Sequence, residues 1–175
     1  KEKIKGLVIT HGHEDHIGSI PYILKQVDMP IYATKLTLEL IKNKLDEHNL
    51  LRTTKLHEVK QGQTVKLGKF AIEFISSCHS IPDAVMLAIH SPVGTVLHTG
   101  DFKIDYTPID GKKMDLGRIA ELGNKGILAL MSDSTNAERK GFTMSESSVG
   151  EVIDKLFINC KKRIVVATFA SNVHR

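Results

Sequence analysis

Residues 6–16, GLVITHGHEDH, decide the fold expected for this chain. The apolar run GLVIT (6–10) is typical of a short buried strand. It leads directly into four possible metal ligands, which are His11, His13, Asp15 and His16. The next segment, IGSIPYILKQV, has apolar residues at helical spacing, so the ligands lie on a strand-to-helix turn where their side chains can converge. Because imidazole and carboxylate groups suit zinc or a similar divalent ion, this turn predicts a metal site.

Two residues further along the chain extend this predicted site. His79 follows the apolar run FAIEFISSC, and Asp101 ends the segment VLHTGD. Strand ends are where loops assemble sites on a rigid scaffold. Taken alone, His79 could equally be a structural histidine, and Asp101, which follows a glycine, would more often be a turn former. Together with the HGHEDH turn, both are interpreted as further ligands.

The rest of the chain predicts an α/β domain. PIYAT (30–34) predicts a second strand, and apolar residues at helical spacing predict an amphipathic helix over 35–48. Between 53 and 100, the runs KLHEV, TVKL, FAIEFIS, VMLAIHS and TVLHTG are separated by turn signals and predict a meander of strands. Helices are predicted over 115–123 and 144–160, the second opened by a capping box of Thr143 and Glu146. ILALMSD and RIVVATFA predict two further strands.

Bulk composition is that of a globular domain. The chain has 175 residues, of which 41% are hydrophobic, and it contains neither an apolar run of the roughly 18–20 residues needed to span a membrane nor a signal-peptide pattern. Cys78 and Cys160 are too far apart to suggest a disulfide framework, which favours a reducing cytosol. The net charge of +4 leans weakly toward a polyanionic partner. Both ends lie close to strand-like runs, so we expect a fragment of a larger protein.

The order HxHxDH, a lone histidine and an Asp in TGD resembles the metallo-β-lactamase superfamily. The resemblance implies the αββα metallo-β-lactamase fold, here a partial four-layer sandwich of mixed β-sheet flanked by helices. It also implies two divalent metal ions, zinc or alternatively manganese or magnesium. One ion would be held by His11, His13 and His79, the second by Asp15 and His16, and Asp101 would bridge them. Asp15, His16 and Asp101 would also be the catalytic residues. The family's seventh ligand, a histidine, has no clear candidate.

Later segments resemble the ribonuclease J family of β-CASP nucleases. They are CHSIPDA (78–84), LHTGDFKID (97–105), MSDSTNAERKGFTMSE (131–146) and ATFASNVHR (167–175). The resemblance implies a metallo-β-lactamase-like domain over 1–162, incomplete at its N-terminus, and the start of an inserted β-CASP domain over 163–175. Asp133 would be an acidic motif residue supporting the metal ligands, with Ser134 and Thr135 either orienting it or simply forming the turn. His174 would face bound RNA.

The function that this resemblance implies is metal-dependent hydrolysis of RNA phosphodiesters by a metal-bound hydroxide. Both endonuclease and 5′-to-3′ exonuclease action are implied, in RNA processing and decay, including rRNA processing, in the cytoplasm. The implied partners are RNA, further copies in a homodimer or tetramer, and an RNA-decay assembly, with no membrane. Three alternatives stay open: a β-CASP nuclease acting on DNA, another metallo-β-lactamase-fold hydrolase, and a non-catalytic RNA-decay subunit.

Some residues near these motifs are interpreted as structural. Glu14 lies between the ligands but is expected to point elsewhere. Cys78 is expected to be a small buried filler rather than a reactive thiol. His90 and His98 alternate with apolar strand residues, which favours a structural role for both.

Overall fold

The computed structural model describes residues 3–169, which form two β-sheets with helices on either side. The strands are β1 (Leu7–Val8), β2 (Ile31–Ala33), β3 (Leu56–Glu58), β4 (Thr64–Leu67), β5 (Phe70–Ser76), β6 (Val85–Ser91), β7 (Gly94–His98) and β8 (Ala129–Met131). The helices are α1 (Glu14–Ile17), α2 (Ile20–Leu24), α3 (Lys35–Glu47), α4 (Leu116–Lys125) and α5 (Glu146–Asn159). The predicted α/β class, with mixed sheets flanked by helices, is confirmed.

The first sheet contains three parallel strands in the order β1-β2-β3. Parallel neighbours need a crossover, and α3 supplies it between β2 and β3. The prediction that KLHEV belongs to the later meander was wrong. Its strand pairs with β2 instead, where the N–H of Val59 donates to the carbonyl of Ala33 at 3.0 Å.

The second sheet has the order β4-β5-β6-β7-β8, in which the first four strands form the predicted antiparallel meander and β8 is parallel to β7. Alternate side chains of β5 point to opposite faces. Ile72 and Phe74 pack in the core that also receives Val8 of the first sheet. Ile75 packs in a second core with Leu122 of α4. The second sheet therefore has apolar contacts on both faces.

A third core lies under the first sheet. It joins Ile17 and Ile20 to Ile31 of β2 and to Ile41 and Leu45 of α3, and these five side chains are almost completely buried. The chain after the ligand turn breaks into two short helices because Pro21 lies at the start of α2. A proline there has no N–H to donate and clashes with the carbonyl four residues earlier. This break keeps the turn compact against the core.

Two predictions near the end of the described chain were wrong in detail. Helix α5 is capped by Ser145, whose hydroxyl accepts from the N–H of Ser147 at 3.4 Å, so Thr143 lies outside the helix. Residues 163–169, the described part of the predicted strand RIVVATFA, are exposed and pair with neither sheet. None of the helices between residues 3 and 169 combines the length and hydropathy needed to cross a membrane.

Candidate metal centre

The candidate site lies at the edge where several strands end. The HGHEDH turn follows β1, His79 follows β5, Asp101 follows β7 and Asp133 follows β8. Strands β5, β7 and β8 run in the same direction, so their carboxyl ends meet at one edge of the second sheet. The turn from the first sheet is joined to this edge by a bond from the N–H of Val85 to the carbonyl of Thr10, at 3.0 Å.

A first group of potential ligands contains His11, His13, His79 and Asp101, one ligand atom of each lying within 4.8 Å of all the others. Nε2 of His79 lies 3.1 Å from Nδ1 of His13 and 3.6 Å from Oδ2 of Asp101. Nε2 of His11 is 3.9 Å from the same carboxylate oxygen. Ligand atoms of a tetrahedral zinc, each about 2.0–2.2 Å from the ion, are themselves about 3.4 Å apart. The group therefore has the spacing of a metal site.

A second group contains Asp15, His16 and Asp101. Nε2 of His16 lies 3.6 Å from the carboxylate of Asp15 and 3.4 Å from Oδ1 of Asp101. Asp101 thus presents Oδ2 to the first group and Oδ1 to the second. A carboxylate shared in this way is suited to bridging two cations. Within residues 3–169 no further histidine, cysteine or acid joins either group.

His11 is the most buried member of the site. Its side chain is 1% exposed, and its Nε2 has no hydrogen-bond partner among the described residues. A buried polar atom without a partner is costly unless a ligand occupies its lone pair. Nδ1 lies 3.1 Å from the hydroxyl of Thr10, and a hydrogen bond from Nδ1–H leaves Nε2 as the unprotonated nitrogen that faces the site. This orphaned nitrogen fits a bound metal ion.

The histidine cluster disfavours its own protonation. Burial first, and then the neighbouring His16, His79 and His13, lower the pKa of His11 to about 3. Burial and His13 also lower the pKa of His79, although Asp101 partly opposes this shift. Since a metal binds the neutral imidazole, these shifts keep both rings ready to coordinate at neutral pH.

The turn that carries Asp101 is held by its neighbours. Gly100 has a left-handed φ of 56°, and a β-carbon there would lie 3.0–3.2 Å from three side-chain atoms of Thr10. The N–H of Gly100 donates to Nδ1 of His98 at 3.0 Å, and the Thr99 hydroxyl accepts from the N–H of Asp133 at 2.9 Å. These contacts explain why a glycine precedes Asp101 and give His98 a structural role.

Asp133 lies beside the ligands but belongs to neither group. Its Oδ1 accepts from the hydroxyl of Thr135 at 2.6 Å and from the N–H of Thr135 at 2.9 Å. These bonds lower the pKa of Asp133, and the bond from the Thr135 hydroxyl has the larger effect. Its Oδ2 accepts a long bond of 3.5 Å from the N–H of Phe102, the residue after Asp101. Of the two neighbours considered from the sequence, Thr135 orients Asp133, whereas no bond from the Ser134 side chain to it is present.

Other residues of the motifs point away from the site. The carboxylate of Glu14 pairs with Lys44 of α3 at 2.5 Å. Cys78 is buried, which raises the pKa of its thiol. His90 contacts Thr95 and Glu73 within the second sheet. His174 lies outside the described residues.

Three supporting residues were not anticipated from the sequence. Thr10 contacts His11, Thr99 contacts Asp133, and the Ser80 hydroxyl lies 3.4 Å from Nε2 of His13. Serine and threonine are common on turns, so the only available signal was that each is next to, or two residues from, a predicted ligand. The contacts of Thr99 and Ser80 join segments far apart in the chain, and that of Thr10 depends on the direction of the His11 ring, so the sequence alone does not reveal them.

Comparison with known proteins identifies relatives of this domain. Residues 1–139 match the family described as the beta-lactamase superfamily domain. The chain is 55% identical over 177 residues to "Ribonuclease J" of Synechocystis and 46% identical over 176 residues to "Ribonuclease J" of Helicobacter pylori. Both alignments cover the whole chain, which spans only 28% and 26% of the length of these relatives.

A solved structure supports the fold. A protein of unknown function from Enterococcus faecalis superposes with a TM-score of 0.62 at 16% sequence identity. The match covers 87% of this chain and 38% of that protein. At this identity the likeness concerns the fold alone.

Proposed function

The chain belongs to the β-lactamase superfamily, and on that premise we propose that it is the metal-binding part of a ribonuclease that hydrolyses RNA phosphodiesters. The observation that carries the proposal is the sharing of Asp101 between two ligand groups. A pair of adjacent cations is the arrangement that many phosphodiesterases use. The choice of RNA is supported by relatives that are named ribonucleases and whose alignments cover the whole chain.

The proposed ligands are His11, His13 and His79 for one ion, Asp15 and His16 for the second, and Asp101 between them. Zinc is the proposed metal because the donors are imidazole nitrogens and carboxylate oxygens, with manganese or magnesium as alternatives. Two bound divalent ions would supply positive charge to a phosphodiester and acidify water beside it.

The protein's own contribution is to hold these donors in place before substrate arrives. Thr10 orients His11 so that Nε2 faces the site. The turn around Gly100 directs the two oxygens of Asp101 to different groups. Asp133, which follows β8, accepts a hydrogen bond from the N–H of Phe102, the residue after Asp101. Asp15, His16 and Asp101 are the proposed catalytic residues, because they would hold the second ion and the bridge.

The remaining features of the proposal concern the whole protein. Residues 1–162 would form the metallo-β-lactamase-like domain and 163–175 the start of an inserted β-CASP domain, with His174 facing RNA. The enzyme would act in the cytoplasm, as an endonuclease and a 5′-to-3′ exonuclease, in a homodimer or tetramer and within an RNA-decay assembly.

The decisive experiment compares two neighbouring carboxylates in the full-length protein. Asp15→Asn removes a proposed ligand, whereas Glu14→Gln alters the adjacent acid that pairs with Lys44. We expect Asp15→Asn to bind about one metal equivalent fewer and to cleave 5′-monophosphate RNA roughly 100-fold more slowly or worse, since even residues behind metal ligands change activity by about 10–100-fold. Glu14→Gln should keep both properties.

Metal content is measured by elemental analysis and cleavage by gel assay, with and without chelator and on RNA and DNA of one sequence. Cleavage that survives chelation, or equal loss in both variants, would overturn the metal mechanism. The 2′-hydroxyl is the group by which a protein can distinguish the sugar of RNA from that of DNA. Equal cleavage of RNA and DNA would therefore contradict the choice of RNA as the substrate.

A further inference from the structure

An open groove of about 520 Å³ leads away from the candidate metal centre. Its lining includes His79 and Asp101 of the candidate metal centre and, from the segment that follows β8, Ser134, Asn136 and Phe142. A space of this size falls within the roughly 300–1,000 Å³ typical of small-ligand sites. Anything bound along the groove would therefore be held next to the reacting bond.

Phe142 is the most unusual side chain of this groove, because it is 92% exposed. The segment that carries it is nevertheless held on its C-terminal side. Two residues later, the carbonyl of Met144 accepts from the ammonium of Lys103 at 2.6 Å, and the same ammonium contacts Glu146 at 2.9 Å. An aromatic face presented to solvent on an anchored segment is the feature on which nucleic-acid bases stack.

The polar groups beside Phe142 suit a nucleotide. The exposed side chains of Ser134 and Asn136 make no hydrogen bond to any described residue, so they are available to base edges or sugar hydroxyls. Arg139 and Lys140, just before Phe142, are exposed and make no ion pair within residues 3–169. Free cations beside a stacking surface favour a single-stranded polyanion.

A second groove also borders the site, but its charge is wrong for RNA. Its ionisable lining residues are the acids Glu14, Asp15 and Glu47, together with Lys44 and His13. Lys44 is already paired with Glu14. Besides the proposed ligands His79 and Asp101, the ionisable residues lining the groove that contains Phe142 are Asp133 and Lys103. The exposed cations Arg139 and Lys140 lie just before Phe142 in the chain, and they favour this groove for a polyanion.

We propose that the groove between Asp101 and Phe142 binds a nucleotide of single-stranded RNA next to the bond that is cut, with its base stacked on Phe142. This inference rests on the proposed function. Arg139 and Lys140 would contact the backbone phosphates, and Ser134 and Asn136 would bond to the sugar or base. None of these residues belongs to the metal-ligand groups, so each would affect RNA binding without removing a metal.

The test measures steady-state cleavage of RNA by the full-length, metal-loaded protein. Stacking on one aromatic ring contributes enough that Phe142→Ala should raise KM roughly 5- to 100-fold. kcat and metal content should stay within about twofold of the parent, and Phe142→Tyr, which keeps the ring, should restore KM. Phe70→Ala is the matched control, since Phe70 is 49% exposed and lines a different cavity.

A substrate scan identifies the stacked base. A set of RNAs is used, each with a single abasic nucleotide at a different position. One of them, with its abasic nucleotide near the cut, should raise KM of the parent by the factor seen for Phe142→Ala. For Phe142→Ala, KM for that RNA should equal KM for the unmodified RNA. Unchanged KM in Phe142→Ala, or additive effects at every position, would overturn the inference while leaving ribonuclease activity intact. Absence of RNA cleavage by the parent would instead overturn the proposed function as well.

Discussion

Asp105 offers the sharpest test of how the segment after β8 is fastened to the candidate site. Its carboxylate is fully buried, and it accepts from the N–H of Glu146 and from the N–H of Thr107, both at 2.9 Å. The ammonium of Lys103 lies 3.7 Å away. The backbone N–H of Lys103 also donates to the carbonyl of Cys78, the residue before His79. The change we consider is Asp105→Asn, which keeps the shape and removes the charge.

The expected effect follows from the pKa of Asp105. Burial alone would raise it, but the Glu146 N–H, the Ser145 hydroxyl, the Thr107 N–H and Lys103 together lower it from 3.8 to about 2. At roughly 1.4 kcal/mol per unit, the charged form stabilises the fold by about 2 kcal/mol. An asparagine also turns an NH₂ group toward one of the two N–H donors, which costs about 1–3 kcal/mol more. We therefore expect the free energy of unfolding to fall by about 3–5 kcal/mol at pH 7.

The pH dependence has a defined sign. Because folding depresses the pKa of Asp105, its stabilisation is complete above pH 3.8 and is lost as the pH falls toward about 2. About half of the charge contribution should be gone by pH 3, so the gap between parent and variant should narrow there.

Urea unfolding of the full-length protein, followed by circular dichroism at pH 7, 5 and 3, measures this gap. Asp110→Asn is the control, because Asp110 is exposed and should change stability by less than about 0.5 kcal/mol. A loss below about 0.5 kcal/mol for Asp105→Asn at pH 7, or a gap that widens on acidification, would refute this reasoning.

Three further outcomes are expected. Gly100→Ala should lower the free energy of unfolding by about 1–3 kcal/mol in thermal or urea unfolding, because a left-handed alanine there also crowds Thr10, and an unchanged midpoint would contradict the role given to this turn. Cys160, which is exposed, should react with iodoacetamide well before Cys78, whose thiol is buried and has a raised pKa; mass spectrometry of the labelled peptides shows the order, and faster labelling of Cys78 would argue against its burial. Chelation of a metal present at about 100 times its Kd should remove roughly 2.7 kcal/mol of stability, read as a lower Tm, and a Tm indifferent to chelator and added zinc would count against a bound ion.

Much of this domain could be predicted from local patterns. The helices over 35–48 and 115–123 were close to α3 and α4, because an apolar stripe at helical spacing needs no information from elsewhere in the chain. The ligand turn was also evident, since four metal-binding side chains within six residues are hard to explain otherwise. Their roles as ligands remain a proposal.

The wrong predictions depended on contacts between distant segments. KLHEV has the pattern of a strand, but its pattern does not say whether β2 or β4 lies beside it. RIVVATFA is strand-like, yet its described residues, 163–169, pair with neither sheet, and the local pattern alone does not say whether a strand will be paired. At α5 the N-cap is Ser145 rather than Thr143, and Glu146 contacts distant residues: its N–H donates to Asp105 and its carboxylate contacts Lys103.

The sequence by itself determined which donors are available, because residue type sets whether a group can bind a divalent ion, and the ends of apolar runs set where those donors emerge. Only the tertiary structure decided how they are used. It separates Asp15 from its neighbour Glu14, which turns to Lys44, and it directs the two oxygens of Asp101 to different groups. It also presents Nδ1 of His13 but Nε2 of His79 at their closest approach. These choices depend on directions of side chains carried by separate strands, and such directions exist only after the two sheets have packed.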